Sequence, residues 1–414
     1  MPKSDLEVVV VGGGAAGVAA ARHLHDAGVD CLIIEARDRL GGRAWTTESD
    51  GYPIDLGCGW LHSANRNPWR EIAEAQGHTI DKTPPPWTRP SLPIGFSPAE
   101  QKAFVAALRA FWARLGDFPE EGEDVSASTL LEPGNRWNAL IGAVATFLSG
   151  TELPGFSARD FSRYDDTGVN WRVVEGYGAT IASHARQVPV RLGCAVRSID
   201  HRGRYLAIET TDGTLEAKAA IVTLPSNLIA EQAIRFTPAL PQKVEAAAGL
   251  PLGLADKLFL SLTDAEEFDA DTRLFGHTER TGTGAYHFRP FGRPMIEAYF
   301  GGSLADEIEL GGERAFHDFA LAELTRLLGS SFARRVRPVA SYSWRSDPLA
   351  RGSYSYAQPG KAECRKLLAS PVDDRLFFAG EACSEGDYST AHGAYQTGID
   401  AAKLALRSVR HSAR

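Results

Sequence analysis

The chain has 414 residues, of which 43% are hydrophobic and 23% are charged, a composition typical of a globular protein long enough for two domains. Its formal net charge is −8, so electrostatics gives no support to a nucleic-acid partner. The five cysteines are odd in number and form no C-x-x-C pair, which argues against a disulfide framework or a zinc site. No apolar run reaches membrane-spanning length, and the first predicted strand begins almost at the N-terminus. We therefore expect a cytoplasmic protein without a signal peptide or metal site.

The first 35 residues predict a βαβ unit that carries a dinucleotide-binding motif. Its parts are, in order, a buried strand from Val8 to Val11, a G-x-G-x-x-G turn at Gly12, Gly14 and Gly17, a helix from Val18 to His25, and a second strand from Cys31 to Ile34 that ends at Glu35. Gly12 permits the tight turn, Gly14 has no Cβ to block a pyrophosphate, and Gly17 lets helix and strand pack closely. The helix N-terminus offers free N–H groups to phosphates, and Glu35 can accept hydrogen bonds from ribose hydroxyls. The alternative, a glycine-rich turn without a ligand, is less favoured.

A second glycine turn follows this unit at Gly41 and Gly42, within the stretch EARDRLGGR. Arg37 and Arg43 place positive charge beside the expected pyrophosphate, although either could be a solvated loop charge. The stretch resembles the second glycine motif of the flavin amine oxidase family, which includes monoamine oxidases, polyamine oxidases and lysine-specific histone demethylases. The resemblance implies FAD as the cofactor, in preference to NAD.

The remaining elements alternate between strands and helices, with two proline-containing linkers. In chain order we predict a strand and glycine turn from Tyr52 to Trp60, a linker from Pro84 to Pro98, a helix with a capping box at Ser97 and Glu100, strands over Val188 to Ile199, Tyr205 to Thr211, Leu215 to Ala217 and Ala220 to Leu224, a linker from Pro238 to Pro251, strands over Leu258 to Leu262 and Met295 to Phe300, a helix from Glu313 to Leu328, and a strand, turn and helix between Arg375 and Leu406.

The family resemblance implies an α/β fold with two domains. The first is a Rossmann-type, glutathione-reductase-like FAD-binding domain formed by residues 1–82, 168–245 and 352–414. The second is an inserted α+β substrate-binding domain formed by residues 83–167 and 246–351.

The segment WRSDPLARGSYSY, from Trp344 to Tyr356, closely resembles the corresponding segment of polyamine oxidases and histone demethylases. The resemblance implies that Tyr354 forms an aromatic wall beside the flavin and that Trp344 lies in the same pocket, although both rings could simply be core. An aromatic face can orient an amine and attract its protonated form. Ser353 stands where monoamine oxidases have the cysteine that bonds to the flavin, so we expect non-covalent FAD.

The segment from Phe377 to Gly398 resembles the C-terminal flavin motif of the family. The resemblance implies that Glu381 approaches the cofactor and that a helix opening near His392 to Ala394 points at the flavin ring. The positive end of that helix would stabilise negative charge on the reduced flavin. Thr390 occupies the position of the second aromatic cage residue of monoamine oxidases, so only one wall of the expected cage is aromatic.

Two further residues are candidates for the pocket. Lys257 begins an apolar strand and resembles the family lysine that holds a water near the flavin, and burial could lower its pKa. His62, in the triplet Trp60–Leu61–His62, resembles a pocket histidine of several polyamine oxidases that would bind an amine while neutral. A surface lysine and a structural histidine are the open alternatives.

Together these motifs predict an FAD-dependent amine oxidase that acts on a small amine or polyamine and reduces O2 to H2O2, with a homodimer left open. The predicted catalytic residues are Lys257, Tyr354, Trp344, Thr390 and His62. The predicted cofactor residues are Gly12, Gly14, Ala15, Ala16, Gly17, Glu35, Ala36, Arg37, Gly42, Arg43, Gly57, Cys58, Gly59, Trp60, Val196, Leu224, Pro225, Trp344, Gly380, Glu381, Ser389, Thr390 and Ala391. The alternatives are a related flavin oxidase or desaturase of a non-amine substrate, and a non-catalytic flavin-binding protein.

Overall fold

A computed structural model describes residues 6–312 and 314–411. Its main feature is an eight-stranded sheet in the order β11–β8–β9–β10–β1–β2–β7, with β19 paired to β10 beside this path. The strands are β1 (Leu6–Val11), β2 (Cys31–Ile34), β7 (Val190–Arg191), β8 (Val196–Asp200), β9 (Leu206–Thr210), β10 (Gly213–Val222), β11 (Arg235–Thr237) and β19 (Leu376–Phe378). β1 pairs in parallel with both β2 and β10, as a Rossmann-type βαβ unit requires. The predicted fold class is therefore confirmed.

A second, antiparallel sheet has five strands in the order β14–β15–β16–β13–β17. Its strands are β13 (Ala255–Leu262), β14 (Thr272–Phe275), β15 (Ala285–Phe288), β16 (Met295–Gly301) and β17 (Val336–Ser341). Three two-stranded sheets complete the pairing: β3 (Thr46–Ser49) with β4 (Tyr52–Asp55), β5 (Ile80–Asp81) with β6 (Arg172–Val173), and β12 (Leu252–Gly253) with β18 (Tyr354–Ser355).

The helices cover the large sheet and build the walls around the smaller one. They are α1 (Ala15–Asp26), α2 (Pro68–Ala75), α3 (Pro98–Gly116), α4 (Asn138–Ser149), α5 (Ala158–Ser162), α6 (Tyr177–His184), α7 (Ser226–Ala230), α8 (Pro241–Ala248), α9 (Ser303–Leu310), α10 (Ala315–Leu328), α11 (Cys364–Ala369) and α12 (Ala391–His411). Among the residues that the structure describes, no helix is both long and apolar enough to cross a membrane.

The continuous apolar run of β1 has a simple physical cause. Val8 and Val10 point into the hydrophobic cluster that holds α1 and α12, whereas Val9 and Val11 point into the cluster on the opposite face of the sheet. Because successive strand residues face opposite sides, a strand buried on both faces needs an apolar residue at every position. The first strand of the βαβ unit is therefore buried inside the large sheet, with strands on both sides and a hydrophobic cluster on each face.

Most predicted elements are present, and the differences have local reasons. The capping box is confirmed, since Ser97 Oγ accepts the N–H of Glu100 and Glu100 reaches back to the N–H of Ser97. The predicted strand from Val188 to Ile199 is two strands, β7 and β8, separated by a turn at Gly193 with a φ of 64°.

Two predictions about connections are wrong. The strands predicted at Leu215 to Ala217 and at Ala220 to Leu224 form one strand, β10, because it pairs with β9 along its first half and with β1 and β19 further along. The linker predicted from Pro238 to Pro251 contains α8, whose first residue is Pro241, a position where proline suits a helix. The predicted helix start at Glu313 lies outside the described residues, and the domain boundaries stay predictions.

Candidate active site

A single cavity of about 1470 Å³ runs from the β1–α1 turn past the small antiparallel sheet to α3. It exceeds the roughly 300–1,000 Å³ of a typical small-molecule site, so it has room for a dinucleotide and a second molecule. Every predicted catalytic residue lines it: Lys257, Tyr354, Trp344, Thr390 and His62. So do all the predicted cofactor residues except Gly17: Gly12, Gly14, Ala15, Ala16, Glu35, Ala36, Arg37, Gly42, Arg43, Gly57, Cys58, Gly59, Trp60, Val196, Leu224, Pro225, Gly380, Glu381, Ser389 and Ala391.

The two glycine turns lie side by side and form a cradle free of side chains. Gly14 and Gly41 form a β-bridge, and the N–H of Gly41 donates to the carbonyl of Gly13 at 2.8 Å. A Cβ at Gly42 would lie 3.2 Å from the Cα of Gly14, whereas a Cβ at Gly14 would meet no protein atom closer than 3.9 Å. Gly14 is therefore not required by the protein's own packing, and the open space fits a pyrophosphate at the helix N-terminus.

Gly17 and Glu35 support this cradle in different ways. A Cβ at Gly17 would lie 1.9 Å from the carbonyl oxygen of Gly12, so Gly17 allows α1 to pack on β1 and does not face the cavity. The Glu35 carboxylate accepts the N–H of Gly13 at 2.6 Å and that of Arg37 at 2.8 Å. These bonds fix the carboxylate, and its remaining lone pairs are free to accept ribose hydroxyls.

The two arginines of the second glycine motif are paired with carboxylates. Arg37 contacts Asp347 at 2.8 Å, and Arg43 contacts Glu381 at 2.9 Å. Burial alone would raise the pKa of Glu381, but the charge of Arg43 and the hydroxyl of Ser355 hold it below its ordinary value. Glu381 also accepts the N–H of Ser389 at 3.0 Å. Glu381 is therefore an ionised anchor that joins three distant segments of the cofactor wall.

Lys257 is buried in the cavity wall, and two groups hold its ammonium in place. Its ammonium lies 2.9 Å from Glu297 and donates to the carbonyl of Asp55 at 3.0 Å, and a Cβ at Gly59 would lie 3.3 Å from it. The predicted fall of its pKa is wrong. Burial does lower the pKa, but the charge of Glu297, with Tyr299 and Asp55, more than offsets this and raises it above the ordinary value.

Glu297 begins a chain of buried polar groups that sequence analysis missed. Its second oxygen lies 3.7 Å from Nδ1 of His287, and Nε2 of His287 lies 2.8 Å from Asp271. Asp271 in turn pairs with Arg172 at 2.8 Å. These residues come from separate segments of the chain, so no local motif identifies them. The alternation of His287 and Glu297 with apolar neighbours was the only available signal.

Tyr354 lies in the expected place but belongs to a larger aromatic group. Its hydroxyl donates to the carbonyl of Phe147, and it forms a hydrogen bond with Tyr299, whose ring meets Phe147 edge-on at 6.1 Å. Burial and the neighbouring Tyr299 raise the pKa of Tyr354 well above its ordinary value, so it stays a neutral phenol. Tyr299 and Phe147 also line the cavity and were not predicted.

Trp344 and Ser353 each donate a hydrogen bond to a backbone carbonyl of the cavity wall. The indole N–H of Trp344 donates to the carbonyl of Leu56 at 3.2 Å, and its ring is 2% exposed within the core of the small sheet. Ser353 Oγ donates to the carbonyl of Ala255 at 2.8 Å. The donor of Trp344 is therefore occupied, and its contribution to the cavity is the surface of its ring.

Thr390 caps the N-terminus of α12 and lines the cavity. It directly precedes α12, and its Oγ1 accepts the N–H of Gly393 at 3.0 Å, which is an N-cap contact. Tyr388, two residues earlier, does not replace the missing aromatic wall, because its ring packs on the guanidinium of Arg365 at 3.8 Å. The wall at Thr390 thus presents a helix N-terminus to the cavity.

His62 and Trp60 lie at the side of the cavity. Nδ1 of His62 lies 2.6 Å from the amide oxygen of Asn170, and burial lowers the pKa of this histidine, which favours the neutral ring. Trp60 contacts Trp87 with ring centroids 4.5 Å apart and is covered by the guanidinium of Arg172 at 4.7 Å.

The predicted linker from Pro84 to Pro98 is a wall of the cavity. Ser91 in this segment is clamped by Gln101 of α3, which accepts the N–H of Ser91 at 2.9 Å and donates to its carbonyl at 3.0 Å. Arg273 of β14 reaches the same place, since its Nε donates to Ser91 Oγ at 3.3 Å. Sequence analysis missed Ser91, Gln101 and Arg273.

The Rossmann-type cradle and the adjoining lysine- and tyrosine-lined chamber define a dinucleotide-dependent oxidoreductase. The model of the flavin containing amine oxidoreductase family matches residues 15–85 and 112–406. The chain belongs to this family, and its cofactor is FAD. The predicted family, fold and cofactor are thus confirmed, while the roles of individual site residues stay predictions.

Individual relatives cover nearly the whole chain. Polyamine oxidase 2 of Arabidopsis thaliana is 29% identical over 96% of this chain and 87% of its own length. Lysine-specific histone demethylase 2 of Homo sapiens is 26% identical over 98% of this chain, which spans 54% of the demethylase. A solved structure of a putrescine oxidase double mutant superposes with a TM-score of 0.77 and 20% identity, covering 97% of this chain and 99% of that one. The last likeness concerns the fold alone.

Proposed function

We propose that this protein is an oxidase that converts the C–N bond of a small amine or polyamine to an imine and passes the electrons to O2, giving H2O2. The observation that carries the proposal is the joining of the FAD cradle to a chamber that holds Tyr354 and Lys257 in one cavity. FAD, when bound, supplies a two-electron acceptor for the carbon next to the amine nitrogen.

The side chains of the chamber can bind and orient an amine. The rings of Tyr354, Tyr299 and Phe147 form an aromatic surface against which an amine can pack, and the neutral His62 can accept a hydrogen bond from it. The ammonium of Lys257, held by Glu297, can donate to a water molecule in the cavity. The positive end of α12 at Thr390 favours negative charge that develops nearby.

The competing functions differ in what they predict for the bound flavin. A flavin desaturase or oxidase of a non-amine would be reduced by other substrates, and a non-catalytic flavin-binding protein would not be reduced at all. The deciding experiment is an anaerobic screen in which flavin bleaching is followed for di-, poly- and cyclic amines, and peroxide is then measured in air. Bleaching without peroxide would replace the oxidase by a dehydrogenase, and no bleaching would contradict amine oxidation.

Tyr354 provides the residue-level test of this proposal. Tyr354→Ala should lower kcat/KM for the best amine by about tenfold to a few hundredfold while FAD stays bound, because the orienting ring is lost. Tyr354→Phe is the matched control, since it keeps the ring and loses only the hydroxyl, with its hydrogen bonds to the Phe147 carbonyl and to Tyr299. Its loss should be much smaller. Full activity of Tyr354→Ala would show that this ring does not face the substrate.

A further inference from the structure

We propose that the amine substrate carries an anionic group remote from its reacting C–N bond, and that Arg273 binds this group. The inference rests on the proposed amine oxidation and names its substrate class. It makes Arg273 a specificity-determining residue in the part of the cavity wall three strands away from the strand of Lys257.

Arg273 is a cation that faces the cavity without a carboxylate partner. Its Nε donates to Ser91 Oγ at 3.3 Å, and no ion pair joins it to any residue within 6–312 or 314–411. By contrast, the other arginines already placed in the cavity wall, Arg37 and Arg43, are both paired with carboxylates. The two terminal nitrogens of Arg273 offer the planar fork that binds a carboxylate or phosphate through two hydrogen bonds.

The surroundings of Arg273 are built to hold it in one position. Its guanidinium lies 4.4 Å from the ring centre of Phe275. Ser91, whose hydroxyl accepts the hydrogen bond from Nε of Arg273, is itself fixed by the buried Gln101, which bonds to both its N–H and its carbonyl. Burial lowers the pKa of Arg273 to about 10, so the group remains charged at neutral pH. An anion would supply the counter-charge that the described part of the chain does not.

The wider charge distribution of the cavity wall favours the same kind of ligand. Arg89, Lys102 and Arg109 also line the cavity. Two of the carboxylates that line the cavity are already paired with cations of the protein: Glu297 with Lys257 at 2.9 Å, and Glu381 with Arg43 at 2.9 Å. Beside Arg273 the second ammonium of a free diamine would meet like charge, whereas a remote carboxylate would meet opposite charge.

The sheet register sets the separation between the two ends of the ligand. Arg273 lies opposite His287, and His287 lies opposite Glu297, so the three residues share one face of the sheet. The strand of Lys257 is next to that of Glu297. Three strand spacings of about 4.8 Å place Arg273 roughly 14 Å from the strand of Lys257. The anion must therefore be several bonds away from the reacting carbon.

The test compares pairs of ligands that differ only in the remote group. α,ω-Diamines and ω-amino carboxylates of equal chain length are assayed on the FAD-loaded protein, and kcat/KM is measured for each pair. We expect the amino carboxylate to be preferred at the longer chain lengths. Arg273→Met should lower the ratio of kcat/KM for the amino carboxylate to that for the diamine by about 10–100-fold, the scale of a lost charge-assisted contact. Arg273→Lys should recover part of it.

The matched control is Arg202→Met, which makes the same charge change at an exposed site between β8 and β9. It should leave the preference unchanged. A preference for diamines in the wild-type protein, or an equal loss in Arg202→Met and Arg273→Met, would overturn the proposal. If Arg273→Met fails to fold, the wild-type preference and Arg273→Lys still decide the matter.

A binding measurement separates this inference from the proposed function. Linear alkyl carboxylates without an amine are titrated into the FAD-loaded protein by calorimetry, and alkyl ammonium ions of equal length serve as the comparison. Carboxylate binding that Arg273→Met abolishes would support the anion site even if no amine bleached the flavin. Amine oxidation without carboxylate binding would uphold the proposed function and overturn the inference.

Discussion

At the scale of single residues, the pairing of Lys257 with Glu297 controls the electrostatics of the chamber. A lysine buried alone in an apolar wall lowers its own pKa to escape the cost of a buried charge. Here Glu297 supplies the opposite charge at 2.9 Å, and the carbonyl of Asp55 adds a hydrogen bond. Lys257 is therefore a fixed ammonium at neutral pH.

Removing Glu297 should be costly because it leaves that ammonium without a partner. Glu297→Gln should lower the free energy of unfolding by about 3–5 kcal/mol, the usual cost of breaking a buried ion pair. The double variant Glu297→Gln/Lys257→Met should lose less than Glu297→Gln alone. Urea unfolding at saturating FAD measures all three proteins. A double variant that is less stable than Glu297→Gln would contradict this account of the pair.

The pH dependence of the same pair follows from the directions of the two pKa shifts. The pKa of Glu297 is lowered, because Lys257 and His287 outweigh its burial, so its contribution is full above about pH 4.5 and is lost as the pH falls. The pKa of Lys257 is raised, so its contribution is full below about pH 10.5 and is lost as the pH rises. The stability gap between wild type and Glu297→Gln should therefore be largest near neutral pH. It should shrink at low pH, where Glu297 of the wild type is protonated, and at high pH, where the unpartnered Lys257 of the variant loses its proton before the paired one does.

At the scale of elements, the two turns at helix N-termini divide their residues between folding and binding. In the β1–α1 turn, Gly17 packs against backbone while Gly14 faces open cavity. At the start of α12, Thr390 caps the helix and also lines the cavity. Substitutions in these turns can therefore separate loss of cofactor from loss of stability.

Substitutions at Gly14 and Gly17 separate loss of FAD binding from loss of stability most clearly. Gly14→Ala should fold normally and lose FAD affinity, because its methyl group enters only the space meant for the pyrophosphate. Gly17→Ala should destabilise the protein with or without FAD, because its Cβ would lie 1.9 Å from the Gly12 carbonyl oxygen. Thermal unfolding of the apo-proteins and FAD titration by fluorescence distinguish the two. Normal FAD binding by Gly14→Ala would place the pyrophosphate elsewhere.

Variants of Thr390 need a control, because this residue both caps α12 and lines the cavity. Thr390→Val removes the cap and should cost about 0.5–2 kcal/mol of stability, while Thr390→Ser keeps the hydroxyl and should cost less. Thr390→Tyr adds an aromatic wall and removes the cap at once. Its effect on the ratio of kcat/KM for bulky and slim amines is therefore compared with that of Thr390→Val. An equal change in both variants would assign the effect to the cap.

At the scale of the whole molecule, the cofactor wall is assembled from segments far apart in the chain. Arg43, Ser355 and Glu381 meet in one hydrogen-bonded group, and Arg365, which is fully buried, links it to Asp160. This network holds the FAD cradle and the substrate chamber in register.

Non-covalent attachment of FAD is an expectation that rests on one residue of this assembled wall. Ser353, at the position where monoamine oxidases have their flavin-bound cysteine, has its hydroxyl bonded to the carbonyl of Ala255. Acid or heat precipitation of the yellow protein should therefore release FAD into the supernatant, where absorbance measures it. Flavin that stays with the precipitate would show a covalent bond to another residue.

The sequence by itself determined the parts of the protein that depend on local rules. The β1–α1–β2 unit, its three glycines and Glu35 follow from strand and helix periodicity and from the backbone freedom of glycine. The resemblance of short motifs around Lys257, Tyr354 and Glu381 was enough to predict that these residues face the cavity. These predictions succeed because each motif keeps its residues close together along the chain.

Only the tertiary structure decided which distant residues surround the candidate site. Glu297, Tyr299 and Arg273 lie on two strands whose neighbours are set by sheet register, and their spacing in the sequence carries no sign of it. The pKa of Lys257 shifts upward for this reason, because it depends on a carboxylate 40 positions away in the chain that the register places 2.9 Å from the ammonium. The same physics leaves Arg273 without a carboxylate partner among the residues that the structure describes, where local sequence shows only an arginine in a strand.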